Sequence, residues 1–230
     1  MNLDTSSLDA RLEAEILKVF KWANAKFVRG KGAPHLLVVF LDGSEDIRAV
    51  VLFLHKMDGK HTAGILKPES LGPDNVGKNL STYLQAGFKQ TAYLVILDQE
   101  TLELEELWSR IENSLAKHGI KHSIERSDGR WRLYTCSHGG RMLWVGVVVN
   151  GLGQQSGKHT IEDHLVELAV VEKLANESST VNDSKNKWLE ISKDEKIRRE
   201  VYKRILYSEY VTRVFEQHVS VIKELIEKVE

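Results

Sequence analysis

The stretch of sequence that most constrains the fold is residues 35–54, which read HLLVVFLDGSEDIRAVVLFL. Its first part is a continuous apolar run, typical of a buried strand, and its second part carries apolar residues at helical spacing. Asp42 and Gly43 interrupt the pattern between the two parts, and Ser44 can cap the helix that follows. A strand that turns directly into a helix is the unit of an α/β sheet. It places Asp42 at the carboxyl end of the strand, where open α/β sheets bind their ligands.

A second stretch has the same design. The apolar run at residues 93–97 leads into Asp98 and Glu100, and residues 101–118 have the pattern of a helix. If the two strands are parallel members of one sheet, their carboxyl ends meet at one edge, so Asp42, Asp98 and Glu100 converge there. Acidic groups that gather repel one another, which raises the pKa of at least one of them, and a bound divalent cation is the usual remedy. The sequence therefore predicts a metal site made of strand-end carboxylates.

Composition limits the classes of protein to consider. The 230 residues, 42% hydrophobic and 28% charged, suffice for one α/β core with an appendage. The net charge of −1 gives no global basic field, so any contact with nucleic acid must come from a local patch. The single cysteine, Cys136, fits a reducing cytoplasm, and the first ten residues do not resemble a secretory signal. The longest apolar runs, residues 36–41 and 145–149, are far short of the ~20 residues that span a bilayer. We therefore expect a cytoplasmic protein with no membrane partner.

The order of patterns along the chain indicates the fold class. Strand and helix patterns alternate, a group of three short strands falls within residues 122–149, and helical patterns follow. We expect a three-layer α/β fold, a parallel sheet flanked by helices, with an N-terminal helix and a C-terminal helical extension. The expected divisions are an N-terminal helix and linker at residues 1–34, the α/β domain at 35–175 and the extension at 176–230, which starts with a polar linker to residue 187.

Three motifs on these elements resemble those of a known family. Residues 41–46 read LDGSED, residues 98–100 read DQE, and a Val-Gly strand at residues 145–146 is followed by GKHTIED at residues 157–163. In this order and spacing the motifs resemble the Toprim family. They are most similar to small stand-alone prokaryotic Toprim-related proteins, which are related to nucleases of the overcoming-lysogenisation-defect type and to DnaG-type primases. The resemblance covers roughly residues 36–168.

The resemblance implies a site for Mg²⁺ or Mn²⁺. It gives Asp42 the role of general acid or base, or of first metal ligand, and makes Asp98 and Glu100 a pair that holds metal. Asp46, which belongs to the family's first motif, and Glu162 are each either a further metal ligand or a first-turn acid of a helix. The family has Glu at the position of Asp42 and Asp at the position of Glu100. This exchange of side-chain lengths is consistent with a preserved metal site or with a decayed one.

Two functions follow from these residues. The first is metal-dependent phosphodiester chemistry on nucleic acid, by a nuclease whose catalytic residues are Asp42, Asp98 and Glu100, with Lys158 contacting a substrate phosphate near a helix start. The second is a non-catalytic or decayed Toprim-like interaction module that works with a partner protein such as an ATPase. The Asp at position 42 and the near-zero net charge favour the second.

Three other features have competing interpretations. His159 and His164 flank acidic residues, but a spacing of five points them to different faces of a helix, so we expect solvated histidines. The loop at residues 151–160 lacks the spacing of a Walker phosphate-binding loop, so we reject nucleotide hydrolysis there. The basic residues within 196–204 either grip a phosphate backbone or form a solvated helix face interleaved with acids, and the second interpretation is favoured.

Overall fold

The computed structural model describes residues 1–30, 32–57, 59–152, 159–176 and 183–230. This part of the chain forms a seven-stranded sheet. In chain order its strands are β1 (Asn2–Asp4), β2 (Leu36–Phe40), β3 (Thr62–Leu66), β4 (Ala92–Asp98), β5 (Lys121–Asp128), β6 (Trp131–His138) and β7 (Arg141–Asn150).

The strands lie in the order β1-β3-β2-β4-β7-β6-β5. The first five in that order pair in parallel, whereas β6 pairs antiparallel with both β7 and β5. The chain passes from β2 to β3 on one side and then crosses to β4 on the other side of β2. The strand order therefore reverses between β2 and β4. Open α/β sheets bind ligands at such a reversal, in the crevice outside the carboxyl ends of the strands.

Helices cover both faces of the sheet. They are α1 (Ala10–Trp22), α2 (Ser44–Met57), α3 (Val76–Gln85), α4 (Leu104–Lys117), α5 (Ile161–Val171), α6 (Ser184–Ile191), α7 (Glu195–Tyr207), α8 (Val211–Val214) and α9 (Glu216–Glu227). None of these helices combines the length and the apolar character needed to cross a membrane. Helices α3 and α4 form the layer on one face, and α1, α2, α5, α7 and α9 form the layer on the other. The predicted α/β class, with a mostly parallel sheet between helices, an N-terminal helix and C-terminal helices, is confirmed.

The central strand β2 explains why its sequence is a continuous apolar run. Leu36 and Phe40 belong to the core beneath the layer of α1 and α2, whereas Leu37 and Val39 belong to the core beneath α3 and α4. Because both faces are covered, every position of the strand must be apolar. The first polar side chain, Asp42, follows where the chain has left the sheet.

Helix α9 lies directly against β7. A Cβ atom at Gly146 would lie 2.5 Å from Cγ2 of Val221 and 2.8 Å from Cδ1 of Leu225. A glycine in a strand permits this close approach of a neighbouring element. The position of α9 is thereby fixed over β7, whose last residue is Asn150.

Two elements differ from the sequence prediction. Strand β1 was not expected, because Leu3 is the one apolar residue among its three and gives no readable pattern. Residues 184–187, expected to belong to a polar linker, begin helix α6, whose N-cap is Asp183. The cap compensates for the polar sequence, because its side chain accepts the first free N–H groups of the helix. Residues 177–182 of the expected linker lie outside the described residues.

Candidate metal centre

The reversal of strand order between β2 and β4 brings two carboxylates together. Asp42 lies between the end of β2 and the start of α2, and Asp98 is the last residue of β4. Oδ2 of Asp42 accepts a hydrogen bond from the backbone N–H of Asp98 at 2.7 Å. This bond ties the side chain at one strand end to the backbone of the next, so the sheet itself sets the position of the Asp42 carboxylate.

Glu100 supplies the third carboxylate. Its φ angle of +54° lies in the left-handed region, which is uncommon for a residue of this type. A short antiparallel bridge holds this backbone, because the N–H groups of Glu100 and His159 each donate to the other residue's carbonyl at 3.3 Å. Asp42, Asp98 and Glu100 each present an oxygen within 4.8 Å of the others. Hard oxygen ligands grouped in this way can hold a divalent metal ion.

A fourth carboxylate, Asp46, is joined to this group through an amide. Asp46 lies in the first turn of α2 and is 2% exposed. The side-chain nitrogen of Asn150 donates to Oδ1 of Asp46 at 2.5 Å and to Oδ1 of Asp98 at 2.9 Å. Oδ1 of Asp98 accepts a second bond, at 3.2 Å, from the backbone N–H of Ile161 at the start of α5. Groups from β7 and α5 therefore help to fix the carboxylate of Asp98.

The carboxyl groups of this cluster have raised pKa values. Burial raises the pKa of Asp42 to about 6, and the charge of Glu100 adds to this effect, while the N–H of Asp98 and the charge of Lys67 oppose it. Burial, followed by the charges of Asp46 and Asp42, raises the pKa of Asp98 far above its ordinary value. Burial and the charge of Asp42 likewise raise the pKa of Asp46. A nearby divalent cation would favour the ionised form of each group.

The charges of two lysines act on Asp42. Nζ of Lys67, the residue after β3, donates to the backbone carbonyl of Asp42, and Lys185 is an exposed residue in the first turn of α6. The charges of both lower the pKa of Asp42. Sequence reasoning missed them. Lys67 had a signal, because it follows a third parallel strand, but Lys185 lies in the segment that the sequence predicts as a linker.

The two acidic residues in the first turn of α5, Glu162 and Asp163, have different surroundings. Glu162 is 7% exposed, and its charge contributes to raising the pKa values of Asp46 and Asp98. Within the described residues, the three-carboxylate group does not include Glu162. Oδ2 of Asp163 accepts a hydrogen bond from Nδ1 of His159 at 2.8 Å. Glu162 therefore borders the acidic cluster, whereas Asp163 holds His159.

The expectation of solvated histidines is wrong. His159 is 6% exposed and His164 is fully buried. His159 precedes α5, so the helical spacing used in the prediction does not apply to the pair. Nδ1 of His164 lies 2.6 Å from the carbonyl oxygen of Val214, so it carries the hydrogen, and Nε2 accepts the N–H of Gly151 at 3.2 Å. Burial lowers the pKa of His164 to about 4, which keeps the ring neutral near pH 7.

Among the described residues, ion pairs engage four of the five basic residues noted on α7. Nη2 of Arg198 lies 3.0 Å from Oε1 of Glu45, which also accepts a bond from Arg48, and the hydroxyl of Tyr202 donates to the other oxygen of Glu45. The remaining pairs are Arg199 with Glu195, Lys203 with Glu200, and Arg204 with Glu172 and Glu200. Glu45 is therefore bound to α7 and turned away from the acidic cluster. The pairing agrees with a helix face of interleaved charges.

Asn150 and His218 are further residues that sequence reasoning missed. Both are fully buried, and Nε2 of His218 lies 2.9 Å from Oδ1 of Asn150. Asn150 had a signal, because it is the first polar residue after the apolar run of β7, which is parallel to β4. His218 had none, since it comes from a helix 68 residues further along the chain.

Lys158, the residue predicted to contact a substrate phosphate, lies outside the described residues. Comparisons of the chain with protein-family models, with curated proteins and with solved structures found no match. The functional argument therefore depends on the geometry of the carboxylates and on the order of the motifs in the sequence.

Proposed function

We propose that the protein carries out metal-dependent phosphodiester chemistry on nucleic acid, as a Toprim-type nuclease. Asp42, Asp98 and Glu100 hold the Mg²⁺ or Mn²⁺ ion in this proposal. The observation that carries it is the convergence of these three carboxylates where the strand order reverses. Ligand sites of open α/β sheets are found at this position.

The donor set fits a hard divalent cation. Mg²⁺ prefers oxygen ligands and accepts few carboxylates while it keeps several waters. Burial first, and then repulsion between the carboxylates, raises the pKa values of Asp42, Asp46 and Asp98, and a bound cation would offset both effects. When bound, the metal would stabilise the charge that develops on a phosphodiester and assist formation of the attacking nucleophile.

Positive side chains near the carboxylates could bind the phosphate of a substrate. Lys67 and Lys185 lie close enough to Asp42 for their charges to act on it, and ammonium groups bind phosphate oxygens as compact charges. Of the two, Lys67 is the nearer candidate for a substrate phosphate, because its Nζ bonds to the backbone carbonyl of Asp42. When it holds the metal, Asp42 is ionised, because a nearby divalent cation favours the charged form of the carboxylate.

The resemblance to the Toprim family supports the choice of substrate. The exchange of side-chain lengths, with Asp at position 42 and Glu at position 100, raised the alternative of a decayed site. The oxygens of Asp42 and Glu100 nevertheless lie within 4.8 Å of each other and of Asp98. The longer side chain at position 100 compensates for the shorter one at position 42, which favours a preserved site.

The first experiment is a calorimetric titration of Mn²⁺ into the wild type, Asp98→Asn and Asp128→Asn. Asp128 is the matched control, because it is an exposed aspartate that also ends a strand. We expect the wild type and the control to bind Mn²⁺ equally, and the Asp98 variant to lose most of the affinity because a charged ligand is missing. Absence of binding to the wild type would refute the metal site.

The second experiment tests the reaction itself. Single- and double-stranded DNA and RNA are incubated with the same three proteins, with Mn²⁺, with Mg²⁺ and with excess EDTA. We expect cleavage by the wild type and by Asp128→Asn that requires the metal, and none by Asp98→Asn. Equal cleavage by the Asp98 variant would contradict the proposal and indicate a contaminating nuclease.

A second candidate is the interaction module that works with a partner such as an ATPase. The ion pairs on α7 favour it, because they occupy basic residues that would otherwise be available to a phosphate backbone. In this case the metal centre would be a structural or regulatory part of the assembly. Binding of Mn²⁺ by the wild type without cleavage of any nucleic acid would support this function over the nuclease.

A further inference from the structure

Two fully buried polar side chains connect the acidic cluster to helix α9. The amide nitrogen of Asn150 donates to Asp46 at 2.5 Å and to Asp98 at 2.9 Å. Its amide oxygen lies 2.9 Å from Nε2 of His218, which belongs to α9. A continuous chain of hydrogen bonds therefore runs from the C-terminal helix to a candidate metal ligand.

The hydrogen-bond partners of His218 fix the direction of this chain. Its Nδ1 atom is buried and has no hydrogen-bond partner among the described residues. A hydrogen on Nδ1 would be a buried donor without an acceptor, so the hydrogen belongs on Nε2 and is donated to the oxygen of Asn150. The amide NH₂ group must then face the two carboxylates. The reverse orientation would place the amide oxygen against two carboxylate oxygens, which repel it.

Aromatic rings surround His218. The ring centroids of His164, Phe215 and Phe53 lie 5.1, 5.5 and 6.4 Å from the His218 ring. Burial, together with the neighbouring His164, lowers the pKa of His218 well below its ordinary value, so the ring is neutral. His218 therefore contributes a hydrogen bond and no positive charge. The negative charge of the carboxylates remains available to a cation.

The chain of bonds orients Asp98. Oδ1 of Asp98 accepts one bond from Asn150 and one from the N–H of Ile161, whereas the described residues donate none to Oδ2. Two donors on one oxygen hold the plane of the carboxylate. Asp98 also offers one oxygen to the group with Asp42 and Glu100, and Oδ2 is the one that accepts no bond from the described residues.

We propose that Asn150 and His218 are positioning residues of the metal centre, which hold the carboxylate of Asp98 in the orientation that binds the cation and tie it to Asp46. The inference depends on the metal site of the proposed function and extends it to helix α9. Loss of an outer hydrogen-bond partner typically weakens metal binding by about 10–100-fold. Removal of the His218 N–H frees the amide of Asn150 to rotate and leaves its buried oxygen without a donor.

The test compares Mn²⁺ binding by the full chain and by three variants. His218→Phe keeps an aromatic ring but lacks the N–H, whereas the side-chain amide of His218→Gln supplies a donor in its place. Val221→Ala is the matched control, because Val221 is buried on the same helix, lies over Gly146 and has no polar side-chain atom that could bond to Asn150. Calorimetry gives the Kd for Mn²⁺, the thermal midpoint reports folding, and the paramagnetic resonance spectrum of bound Mn²⁺ reports its ligand arrangement.

We expect the Kd for Mn²⁺ to rise about tenfold or more in His218→Phe, with an altered resonance spectrum, and to stay near the wild-type value in the other two variants. An unchanged Kd in a folded Phe variant would overturn the inference. An equal loss of affinity in Val221→Ala would also overturn it, because the effect would then come from the packing of α9. If His218→Phe does not fold, Asn150→Ser is measured in its place. It removes the amide that joins His218 to Asp46 and Asp98, so the Kd for Mn²⁺ should rise in the same way.

The outcomes separate this inference from the proposed function. A wild type that binds no Mn²⁺ would refute the metal centre and its positioning residues together. A wild type that binds Mn²⁺ but cleaves no nucleic acid would refute the nuclease and leave the positioning role to be decided by the variants. Intact metal binding in folded His218→Phe would refute the positioning role while the metal centre stands.

Discussion

Replacing Asp42 by Asn is expected to stabilise the metal-free protein above neutral pH. The pKa of Asp42 rises from its ordinary value of 3.8 to about 6, so ionisation is harder in the native state than in the unfolded chain. At ~1.4 kcal/mol for each tenfold change in acidity, the ionised carboxylate lowers the free energy of unfolding by up to about 3 kcal/mol. Asn removes the charge and keeps an oxygen that can accept the N–H of Asp98.

The gain in stability of Asp42→Asn over the wild type should grow as the pH rises. Well below pH 3.8 the Asp42 carboxyl is protonated in both the native and the unfolded state and contributes no difference. Between about pH 4 and pH 6 the native state retains the proton that the unfolded state has lost, so rising pH lowers the stability of the wild type relative to the variant. Above the native pKa of about 6 the difference is constant.

The assay is urea or thermal unfolding, followed by circular dichroism in EDTA, at about pH 4 and about pH 8. For a chain of this size, about 3 kcal/mol corresponds to an increase in Tm of roughly 6–12 °C at the higher pH, and under about 1 kcal/mol should remain at the lower pH. Asp128→Asn is the control for a change of net charge. A variant that is less stable than the wild type at about pH 8 without metal would refute the reasoning.

Addition of Mg²⁺ should change the difference in stability between the wild type and Asp42→Asn. A ligand at 100 times its Kd stabilises the native state by about 2.7 kcal/mol, and the wild type gains this more fully than a variant that lacks a charged ligand. The advantage of Asp42→Asn should therefore shrink or reverse in Mg²⁺. Equal stabilisation of both proteins by Mg²⁺ would show that Asp42 is not part of the metal site.

Two further substitutions test the fold around the site. Gly77→Ala should destabilise the protein by about 1–3 kcal/mol or more in a urea titration, because the new Cβ would lie 2.1 Å from the backbone oxygen of Ser114 in α4. Gly59→Ala is the control: its Cβ meets open space, so the free energy of unfolding should not change. Glu45→Gln should lower the free energy of unfolding by about 1–3 kcal/mol, because it weakens three partly buried hydrogen bonds. Two of them join α2 to α7, and the third, from Arg48, lies within α2. The Kd of this variant for Mn²⁺ should not change, and a large loss of Mn²⁺ affinity would place Glu45 in the metal centre after all.

The sequence predicted the central strands well because local pattern and final environment agree there. Residues 93–97 are apolar at every position, and the strand they form is covered on both faces in the structure. The order of the strands could not be obtained in this way. Whether β2 lies beside β4 depends on how the crossovers pack, and no residue of either strand encodes its neighbour locally. Parallel pairing of the two was an assumption that the structure supports.

The three carboxylates were predictable for the same reason. Asp42, Asp98 and Glu100 each follow a strong apolar strand, so the alternation of strand and helix sufficed to place them at one edge. Residues that come from distant elements were not predictable. His218 reaches Asn150 across 68 residues, and its own helix gives no sign of a partner. The histidines of the α5 region were wrongly expected in solvent because their spacing was interpreted on a helix that starts only after His159.

The residue type at position 150 has a physical reason. An acid there would add another negative charge beside Asp46 and Asp98, and a lysine would neutralise them and compete with a cation for the same oxygens. A neutral amide donates to both carboxylates at once and leaves their charge unchanged. Its own oxygen is satisfied by a neutral histidine, which again adds no charge. The carboxyl groups are thus held close together without a positively charged partner on their amide side, and a divalent cation that favours their ionised forms would supply the missing charge.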